Sequence, residues 1–418
     1  MTARDEIFLR LLRAAVAPGA SEAPEALTAE GWTEVFAMAE RHHVLPLVLD
    51  AAHRLEAEVP EPVFRPYQRR AMRLVSLQAA KTAAFLELYR GLTRDGRTPL
   101  VMKGLICRQL YPQPDFRFSA DEDLLIPPDQ GEAYHAALTA RGMKVVTPER
   151  DPATAQEVGY ASPDGLLYLE VHRYPFPPDS GAYGSFDDYF AGACGRAVTA
   201  RVSGVDLKTL EPTDHLFYLV CHALKHFLHG GFGVRQACDI CLFARAWRDG
   251  VDWRRLEAQL TQIRALPFTA AVFAVGRRLG LEPPVGAAFL KKRAVDPEPL
   301  LEDMLDAGVY GASTLSRRHS GGVTLGAVEG ARRGASPRRG SVTRALFPPA
   351  SSLAERYPFL KTRPALVPTA WLHRLVTYAR TRGGEGDSAA EALRLGRQRT
   401  RLLRRYGLLP GAPDGTEK

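Results

Sequence analysis

Acidic side chains gather just before an apolar segment in the stretch FRFSADEDLLI, residues 116–126. If DEDLLI forms a strand, alternate residues share a face, so Asp121 and Asp123 point to one side and Glu122 to the other. Two carboxylates on one face repel each other, and the repulsion is relieved when they bind a hard cation such as Mg²⁺ through oxygen. A D-x-D pair alone is more often a turn or a solvated strand end, so its surroundings decide the interpretation.

A third acid lies further along the chain, in LYLEVHRYPF, residues 167–176. The alternation of this segment places Leu169 and Val171 on one face and Glu170 with His172 on the other, and His172 is a candidate for nucleotide binding. If this strand pairs beside the first, Glu170 joins the two aspartates. Three carboxylates around two Mg²⁺ or Mn²⁺ ions suit an in-line phosphoryl or nucleotidyl transfer.

The residues that precede the acids could bind phosphate. VMKGL places Lys103 and Gly104 at the end of an apolar strand, where a glycine allows the backbone to approach a phosphate closely. Arg117 and Ser119 come before Asp121 at alternate positions. They offer a cation and a hydroxyl on the side that would carry the metal.

A later helical segment, DHLFYLVCHALKHFLHGG, carries its histidines on one face together with Lys225; these histidines are His215, His222, His226 and His229. Three interpretations stay open. Lys225, His222 and His226 could line the cleft and bind phosphate or acceptor. The histidines could instead make ordinary polar contacts between domains. They could also form a zinc pair, although H-A-L-K-H lacks the glutamate of a zincin.

The next helical segment contains a C-x-x-C sequence, Cys238 to Cys241. Zinc knuckles need turns, and this pattern sits inside a continuous helix, so core cysteines are favoured over a metal site. Arg235 and Asp239 are spaced i,i+4, which predicts an ion pair along the helix.

The elements that must position these residues divide the chain into four regions. Residues 1–95 read as an N-terminal helical domain. Residues 96–207 alternate strands with helices, which predicts an α/β or α+β catalytic core. Residues 208–310 return to helix and would close the cleft. Residues 311–418 read as a basic Gly/Ser/Arg linker with one amphipathic helix and a disordered tail.

Composition limits the class of protein. A chain of 418 residues can form two or three domains, and 45% hydrophobic with 24% charged residues is ordinary globular composition. Five scattered cysteines argue against a disulfide framework. The chain has no signal-peptide pattern and no apolar run long enough for a transmembrane segment, so we expect a cytoplasmic protein.

The formal charge of +8 favours polyanionic partners. The arginine pairs in the basic tail are Arg317 with Arg318, Arg332 with Arg333 and Arg338 with Arg339. They fit a solvated linker, or contact with RNA, an acidic partner or a membrane surface.

Three segments together, VMKGLICRQLY, RFSADEDLLI and LYLEVHRYPF, resemble the nucleotidyltransferase superfamily of the DNA polymerase β type. More specifically, the chain resembles a poorly characterised bacterial group of nucleotidyltransferase family proteins. The shared elements are a K-G-L strand end, a D-x-D-L-L element led by arginine, a later [DE]-x-H and a helical H-x-x-x-H. The likeness covers roughly residues 30–310.

This resemblance implies an α+β fold, a small mixed-sheet core flanked by helical domains. It also implies metal-dependent transfer of a nucleoside monophosphate from an NTP to a hydroxyl acceptor, with release of pyrophosphate. Gly104 would lie against the triphosphate, Asp121 and Asp123 would bind both metals, and Glu170 would hold the catalytic metal. The chain departs from the superfamily pattern at Leu105, where Gly or Ser is usual, and at Glu122, where an apolar residue is usual.

The acceptor implied by the resemblance is a hydroxyl on a small molecule, a peptide, a protein or an RNA. Two other functions compete with this one. The chain could be a catalytically inactive binding protein that keeps the nucleotidyltransferase fold, which Leu105 and Glu122 favour. It could also be a toxin-like enzyme that modifies RNA or protein, a function that the basic surface favours.

Overall fold

A mixed sheet lies at the centre of the molecule, with helices around it. The computed structural model describes residues 1–19, 22–293, 295–308, 315–332, 350–353, 357, 359–380 and 389–410. Within them the sheet has seven strands in the order β3-β4-β5-β2-β1-β7-β6. The predicted α+β fold class is confirmed.

The strands are β1 (Leu100–Met102), β2 (Glu122–Leu125), β3 (Lys144–Val145), β4 (Glu157–Ala161), β5 (Tyr168–His172), β6 (Val198–Val202) and β7 (Val205–Thr209). The described helices up to the end of the sheet are α1 (Ala3–Val16), α2 (Ala29–Arg41), α3 (Leu45–Arg54), α4 (Glu61–Arg94), α5 (Gly104–Arg108) and α6 (Gly131–Thr139). Those that follow are α7 (Pro212–His229), α8 (Val234–Ala246), α9 (Trp253–Gln262), α10 (Leu266–Arg278), α11 (Ala288–Lys291), α12 (Glu298–Ala307), α13 (Leu315–Arg332), α14 (Ala350–Leu353), α15 (Phe359–Thr362), α16 (Val367–Arg380) and α17 (Ala389–Arg405).

The two acidic strands are neighbours in the sheet. β2 pairs with β5 in parallel, which sets Asp123 opposite Glu170, and with β1 in antiparallel fashion, which sets Asp123 opposite Met102. All four β2 residues are buried. β2 and β5 are therefore adjacent, as the predicted convergence of Asp123 and Glu170 requires.

The N-terminal helices follow the apolar spacing of the sequence. α2 buries Trp32, Val35, Phe36 and Ala39 and is capped by the Thr28 hydroxyl, which accepts from the Gly31 N–H. Pro46 stands in the first turn of α3, where a missing N–H costs nothing, so it restarts the helix after a break.

Most of the buried apolar residues in the described part of the chain form one continuous core, which runs from Ile7 in α1 to Leu409 beyond α17. A separate small cluster consists of Leu353, Tyr357, Leu360 and Ala370. The continuous core crosses the boundaries expected near residues 95 and 207, so the helical regions and the sheet share it. The division into domains stays a prediction. Over the described residues, no helix combines the length and the apolar character needed to cross a bilayer.

The linker expected beyond residue 311 is wrong for residues 315–332, which form helix α13. Arg317, expected in a solvated arginine pair, is buried, and its Nη2 lies 2.6 Å from Asp303 Oδ1. Its Nε donates to the carbonyl of Gly230, just after α7. Tertiary contacts thus order a segment whose composition alone favours a flexible chain.

The predictions for the rest of the C-terminal region are only partly tested by the structure. The amphipathic helix expected near residues 368–382 is present as α16. Helix α17, which was not predicted, packs against α13. The arginines at 338 and 339 and the tail 411–418 lie outside the described residues, so the expected linker and disordered tail stay predictions there.

Close packing of α13 on α7 gives a first testable prediction. A Cβ built on Gly321 would lie 1.8 Å from the carbonyl oxygen of His229, so Gly321→Ala must push the helices apart. We expect the free energy of unfolding to fall by about 1–3 kcal/mol, as for other overpacked sites. Urea denaturation followed by circular dichroism measures this change.

The matched control is Gly330→Ala in the same helix, where an added Cβ meets nothing within 4 Å. Because alanine favours helix over glycine, this variant should gain about 0.5–1 kcal/mol. A stabilising effect of both substitutions would contradict the packing of α13 on α7.

Candidate active site

Asp123 on β2 converges with Glu170 and His172 on β5. Each residue offers one ligand atom, and these atoms lie within 4.8 Å of one another. His172 Nε2 lies 3.1 Å from Asp123 Oδ1 and 3.7 Å from Glu170 Oε2. The two-residue period of β5 puts Glu170 and His172 on one face, as the alternation predicted.

Asp121 lies outside this group of three. It precedes β2, is half-buried, and lines a cleft with Lys103, Gly104 and His222. Its negative charge contributes to raising the pKa of Glu170, so it acts on the site electrostatically. In this group of three, His172 occupies the place that was predicted for Asp121, although His172 was predicted to bind nucleotide. Metal binding by Asp121 stays a prediction.

The repulsion expected between acids is present, between Asp123 and Glu170. Burial and the negative charges of Asp123 and Glu157 raise the pKa of Glu170 to about 7. Asp123 shows the opposite shift, because Lys103 and His172 outweigh the effect of burial and lower its pKa to about 2. One carboxylate is thus firmly ionised, while its neighbour holds a proton more readily than an ordinary glutamate.

Lys103 supplies the positive charge beside Asp123. Its Nζ lies 3.0 Å from Asp123 Oδ2 and 3.1 Å from His222 Nε2. Burial opposes the charge, but Asp123 and Asp121 hold the pKa of Lys103 well above its ordinary value. The lysine therefore stays positively charged beside the acidic group.

The donor atoms fit a divalent cation. Asp123 Oδ2 is buried and, although Lys103 Nζ is within ion-pair distance, it accepts no hydrogen bond of good geometry. Buried polar atoms normally find such a partner, so this oxygen has capacity for a further ligand. Two carboxylates and one imidazole suit Mg²⁺ or Mn²⁺, the imidazole favouring the latter.

The histidines of α7 hold the end of β1. His215 Nε2 accepts the backbone N–H of Lys103 at 3.1 Å, and Thr209 lies 3.2 Å from the other ring nitrogen. His222 contacts the Lys103 ammonium and lies 3.2 Å from His226, Nε2 to Nε2. His222 therefore lines the site, whereas His229 lies away from it with Tyr183.

The remaining member of that face, Lys225, is half-buried, and burial lowers its pKa. The charges of Glu157 and Glu170 act on it in the opposite direction, which places it near the acidic group. Among the described residues, the group of Asp123, Glu170 and His172 is the cluster of metal-ligand type, and the α7 histidines do not form another.

Glu122, the acid that the sequence left without a role, is buried and fixes the chain around β1. Its Oε2 accepts the Leu105 N–H at 2.8 Å, and its Oε1 pairs with Arg108 and accepts from the Ser119 hydroxyl at 3.3 Å. A Cβ on Gly104 would lie 2.1 Å from Glu122 Oε2. The two departures from the superfamily pattern, at 105 and 122, are therefore in direct contact.

This contact bears on two predicted phosphate ligands. The space that a Cβ of Gly104 would occupy is filled by the Glu122 carboxylate. The Ser119 hydroxyl donates to Glu122. Gly104 and Ser119 nevertheless line the same cleft as Lys103 and Asp121, so nucleotide binding by these two residues stays a prediction.

Arg117 also has a structural partner. Its Nη2 lies 2.6 Å from Asp239 Oδ2 and its Nε 3.1 Å from Oδ1, and both side chains are buried. The expected ion pair between Arg235 and Asp239 is wrong, since Arg235 Nη1 donates instead to the Phe118 carbonyl. The bidentate pair engages Nε and Nη2 of Arg117. Arg117 also lines the cleft with Lys103 and Asp121, so nucleotide binding by Arg117 stays a prediction.

Sequence reasoning missed three residues that shape the site. Lys81 Nζ donates to the carbonyls of Ser119 and Ala120, and Gln78 Oε1 accepts the Ser119 N–H, so α4 fixes the loop before Asp121. Their i,i+3 spacing on an amphipathic helix was a usable signal. Glu157 lies opposite His172 in the sheet, with its Oε2 3.6 Å from His172 Nδ1. The turn residues SPDG between β4 and β5 could have indicated this pairing.

The cysteines match the expectation for core residues. All five are free, and Cys238 and Cys241 are buried inside α8. They take no part in the acidic group.

Two fully buried histidines give a prediction about pH. Burial lowers the pKa of His42 and of His215 to about 3. The unfolded chain takes up protons on these groups below about pH 6.5, whereas the folded chain does not. Stability is therefore lost as pH falls from 6.5 towards 4, at about 1 kcal/mol per histidine between pH 7 and 5.5.

The variant His42→Leu isolates one such contribution. The pKa values of Glu170 and Asp187 are raised to about 7 and about 6, so these two carboxyl groups stabilise the folded protein as the pH falls. Their effect is the same in the wild type and in the variant, and it cancels when the two losses of stability are compared. Urea denaturation at pH 7 and 5.5 should show a loss about 1 kcal/mol smaller in the variant. Equal losses would mean that His42 is protonated in the folded chain.

One comparison with known proteins shows a family. A family model described as an uncharacterised nucleotidyltransferase matches residues 28–279, more than half of the chain. The crystal structure of an antigenic nucleotidyltransferase-like protein from Paracoccidioides brasiliensis is similar over 51% of this chain and 96% of that chain, at 16% identity and a TM-score of 0.30. That likeness is too slight to carry a conclusion. No curated protein matches the chain.

Proposed function

The chain belongs to the uncharacterised nucleotidyltransferase family, and from this premise we propose that it transfers a nucleoside monophosphate from an NTP to a hydroxyl acceptor. The observation that carries the proposal is the convergence of Asp123, Glu170 and His172 on adjacent strands. The relationship to nucleotidyltransferases of the DNA polymerase β type, drawn from the sequence resemblance, is part of the same proposal.

In the proposed reaction, the acceptor oxygen forms a bond to the α-phosphorus of the NTP. The bond from the α-phosphorus to the bridging oxygen breaks, and pyrophosphate leaves. Asp123 and Glu170, with His172, would hold Mg²⁺ or Mn²⁺, and Asp121 would contribute from the edge of the cleft. When bound, such an ion lowers the pKa of the attacking hydroxyl and neutralises charge on the triphosphate.

The protein's own contribution is positioning. Asp123 is fixed by its strand pairing and by His172, whose Nε2 lies 3.1 Å from Oδ1. His222 and the half-buried Lys225 and His226 are the candidates for contact with phosphate or acceptor, since α7 lies beside the acidic group. Groups held in place before the reaction cost little reorganisation during it.

A competing function, a binding protein that keeps the fold without catalysis, has two observations in its favour. Lys103 already neutralises Asp123 at 3.0 Å, as in a site that needs no metal. The Leu105 N–H, which could bind a phosphate, donates to Glu122 instead. Measurement of activity and of metal binding separates the two functions.

The test is a label-transfer assay on the full chain. The protein is incubated with each of the four NTPs, labelled at the α-phosphate, with Mg²⁺ or Mn²⁺ and with cell extract as the source of acceptor. Label transfer and pyrophosphate are measured for the wild type, for Asp123→Ala and for Glu149→Ala, whose side chain is exposed.

We expect transfer by the wild type and by Glu149→Ala, and none by Asp123→Ala. Silence of the wild type with every NTP, together with no binding of Mn²⁺, would overturn the proposal and favour the binding protein. Fractionation of the labelled extract then identifies the acceptor as a small molecule, a peptide, a protein or an RNA.

A further inference from the structure

The backbone of Lys103 has an unusual conformation, with φ 34° and ψ −110°. This lies near the first central position of a type II′ turn, which glycine normally occupies because a side chain is strained there. The chain has a lysine at this position and places its glycine one residue later, at Gly104. Strain of this kind persists where the surroundings enforce it, and it is common at active sites and ligand-binding sites.

Helix α7 holds Lys103 at two points. His215 accepts a hydrogen bond from the backbone N–H of Lys103, and His222 lies 3.1 Å from the Lys103 ammonium. Two histidines, two helical turns apart, therefore contact the same residue. Burial lowers the pKa of both rings, and neutral imidazoles can accept these hydrogens without adding positive charge. The side chain is thereby aimed at Asp123 Oδ2.

The same oxygen is the one with capacity for a metal. Asp123 Oδ2 is buried and lacks a well-formed hydrogen bond, and Lys103 Nζ lies 3.0 Å away. An ammonium and a divalent cation that both approach this oxygen repel each other strongly, because charges interact over short distances in a poorly screened site. Binding of a metal at Asp123 thus requires Lys103 to find another anion.

The cleft in front of the site offers a place for that anion. Lys103 lines it together with Asp121, His222, Arg235 and Gln236, and the lysine side chain is partly exposed there. Its four-carbon stem is flexible enough to turn the ammonium from one partner to another while the backbone stays fixed. A triphosphate bound with the metal would supply oxygens for the ammonium.

We propose that Lys103 is a tethered counter-cation, which balances Asp123 in the metal-free protein and moves to the phosphates of the NTP when a divalent ion takes Asp123. This inference rests on the proposed function and deepens it. It predicts that metal alone binds weakly, that nucleotide tightens metal binding, and, by reciprocity, that metal tightens nucleotide binding by the same factor.

The test measures Mn²⁺ binding to the full-length protein by electron paramagnetic resonance, with Mn²⁺ alone and with an α,β-methylene NTP analogue. The variants are Lys103→Met, which removes the charge, and Lys103→Gly, which also suits the backbone conformation and so keeps the test available if the first does not fold. Lys144→Met, at an exposed position of β3, is the control.

For both Lys103 variants we expect Mn²⁺ alone to bind about tenfold or more tighter than to the wild type, because a competing charge is gone. The analogue should no longer tighten Mn²⁺ binding as it does in the wild type. Lys144→Met should behave as the wild type does.

The outcomes separate this inference from the proposed function. If the wild type binds Mn²⁺ and the analogue, but the Lys103 variants bind Mn²⁺ no tighter, the counter-cation role is overturned and the proposed function stands. If neither the wild type nor any variant binds Mn²⁺ or the analogue, both are overturned.

Discussion

Replacement of Asp123 by asparagine is expected to lower nucleotidyl transfer by about a thousandfold or more, because a lost metal-ligand carboxylate removes several kcal/mol of transition-state stabilisation. Asparagine keeps the shape of the side chain at this buried position. The loss should appear in kcat with the best NTP found in the label-transfer assay. Mn²⁺ binding should weaken in parallel.

Asp121→Asn is the informative comparison. Asp121 lies outside the group whose ligand atoms lie within 4.8 Å of one another, so its replacement should cost less than that of Asp123. Thermal melts of both variants check that the fold is kept, since Asp123→Asn weakens the partner of Lys103. Retention of activity within about tenfold in Asp123→Asn would contradict the assignment of Asp123 as a metal ligand.

Removal of Glu122 is expected to have the largest effect on stability. Glu122→Ala leaves the buried Arg108 guanidinium without its carboxylate partner and the Leu105 N–H without its acceptor. Loss of one partner from a buried ion pair typically costs about 3–5 kcal/mol, because an uncompensated charge stays in the interior. Urea denaturation measures the free energy of unfolding.

Two controls define the cause. Glu149→Ala, at an exposed position, should change stability by no more than about 0.5 kcal/mol. The double variant Glu122→Leu with Arg108→Leu removes both charges and should recover part of the loss. A change below about 1 kcal/mol in Glu122→Ala would show that the ion pair does not form in solution.

Much of the frame of the site could be predicted from local pattern. The helical spacing of Trp32, Val35 and Phe36 and the proline and glycines that bound α7 are signals contained within one element. Period-two alternation also placed Glu170 and His172 on one face of β5, and the pairing of β5 with β2 followed from the requirement that the acids meet.

Long-range polar partners could not be predicted. The Arg117–Asp239 pair spans 122 positions, and nothing local distinguishes these residues from an exposed arginine and a helix aspartate. The role of Glu122 could not be predicted either, because its partners, the Leu105 N–H and Arg108, lie in another element of the fold. Helix α13 was missed for a related reason: its glycines disfavour helix, and contacts such as Arg317 with Asp303 outweigh that preference.

The contacts between α7 and Lys103 have a consequence for biosynthesis. The contacts from Lys103 to His215 and His222 span 112 and 119 positions, so the lysine cannot be locked in place on a nascent chain until α7 has left the ribosome. Until then, Lys103 lacks the helix that holds its ammonium beside Asp123. In a ribosome-bound chain stalled before α7, we therefore expect the Asp123 carboxylate to be without this counter-charge. Synthesis of α7 would then complete the charge balance of the candidate site.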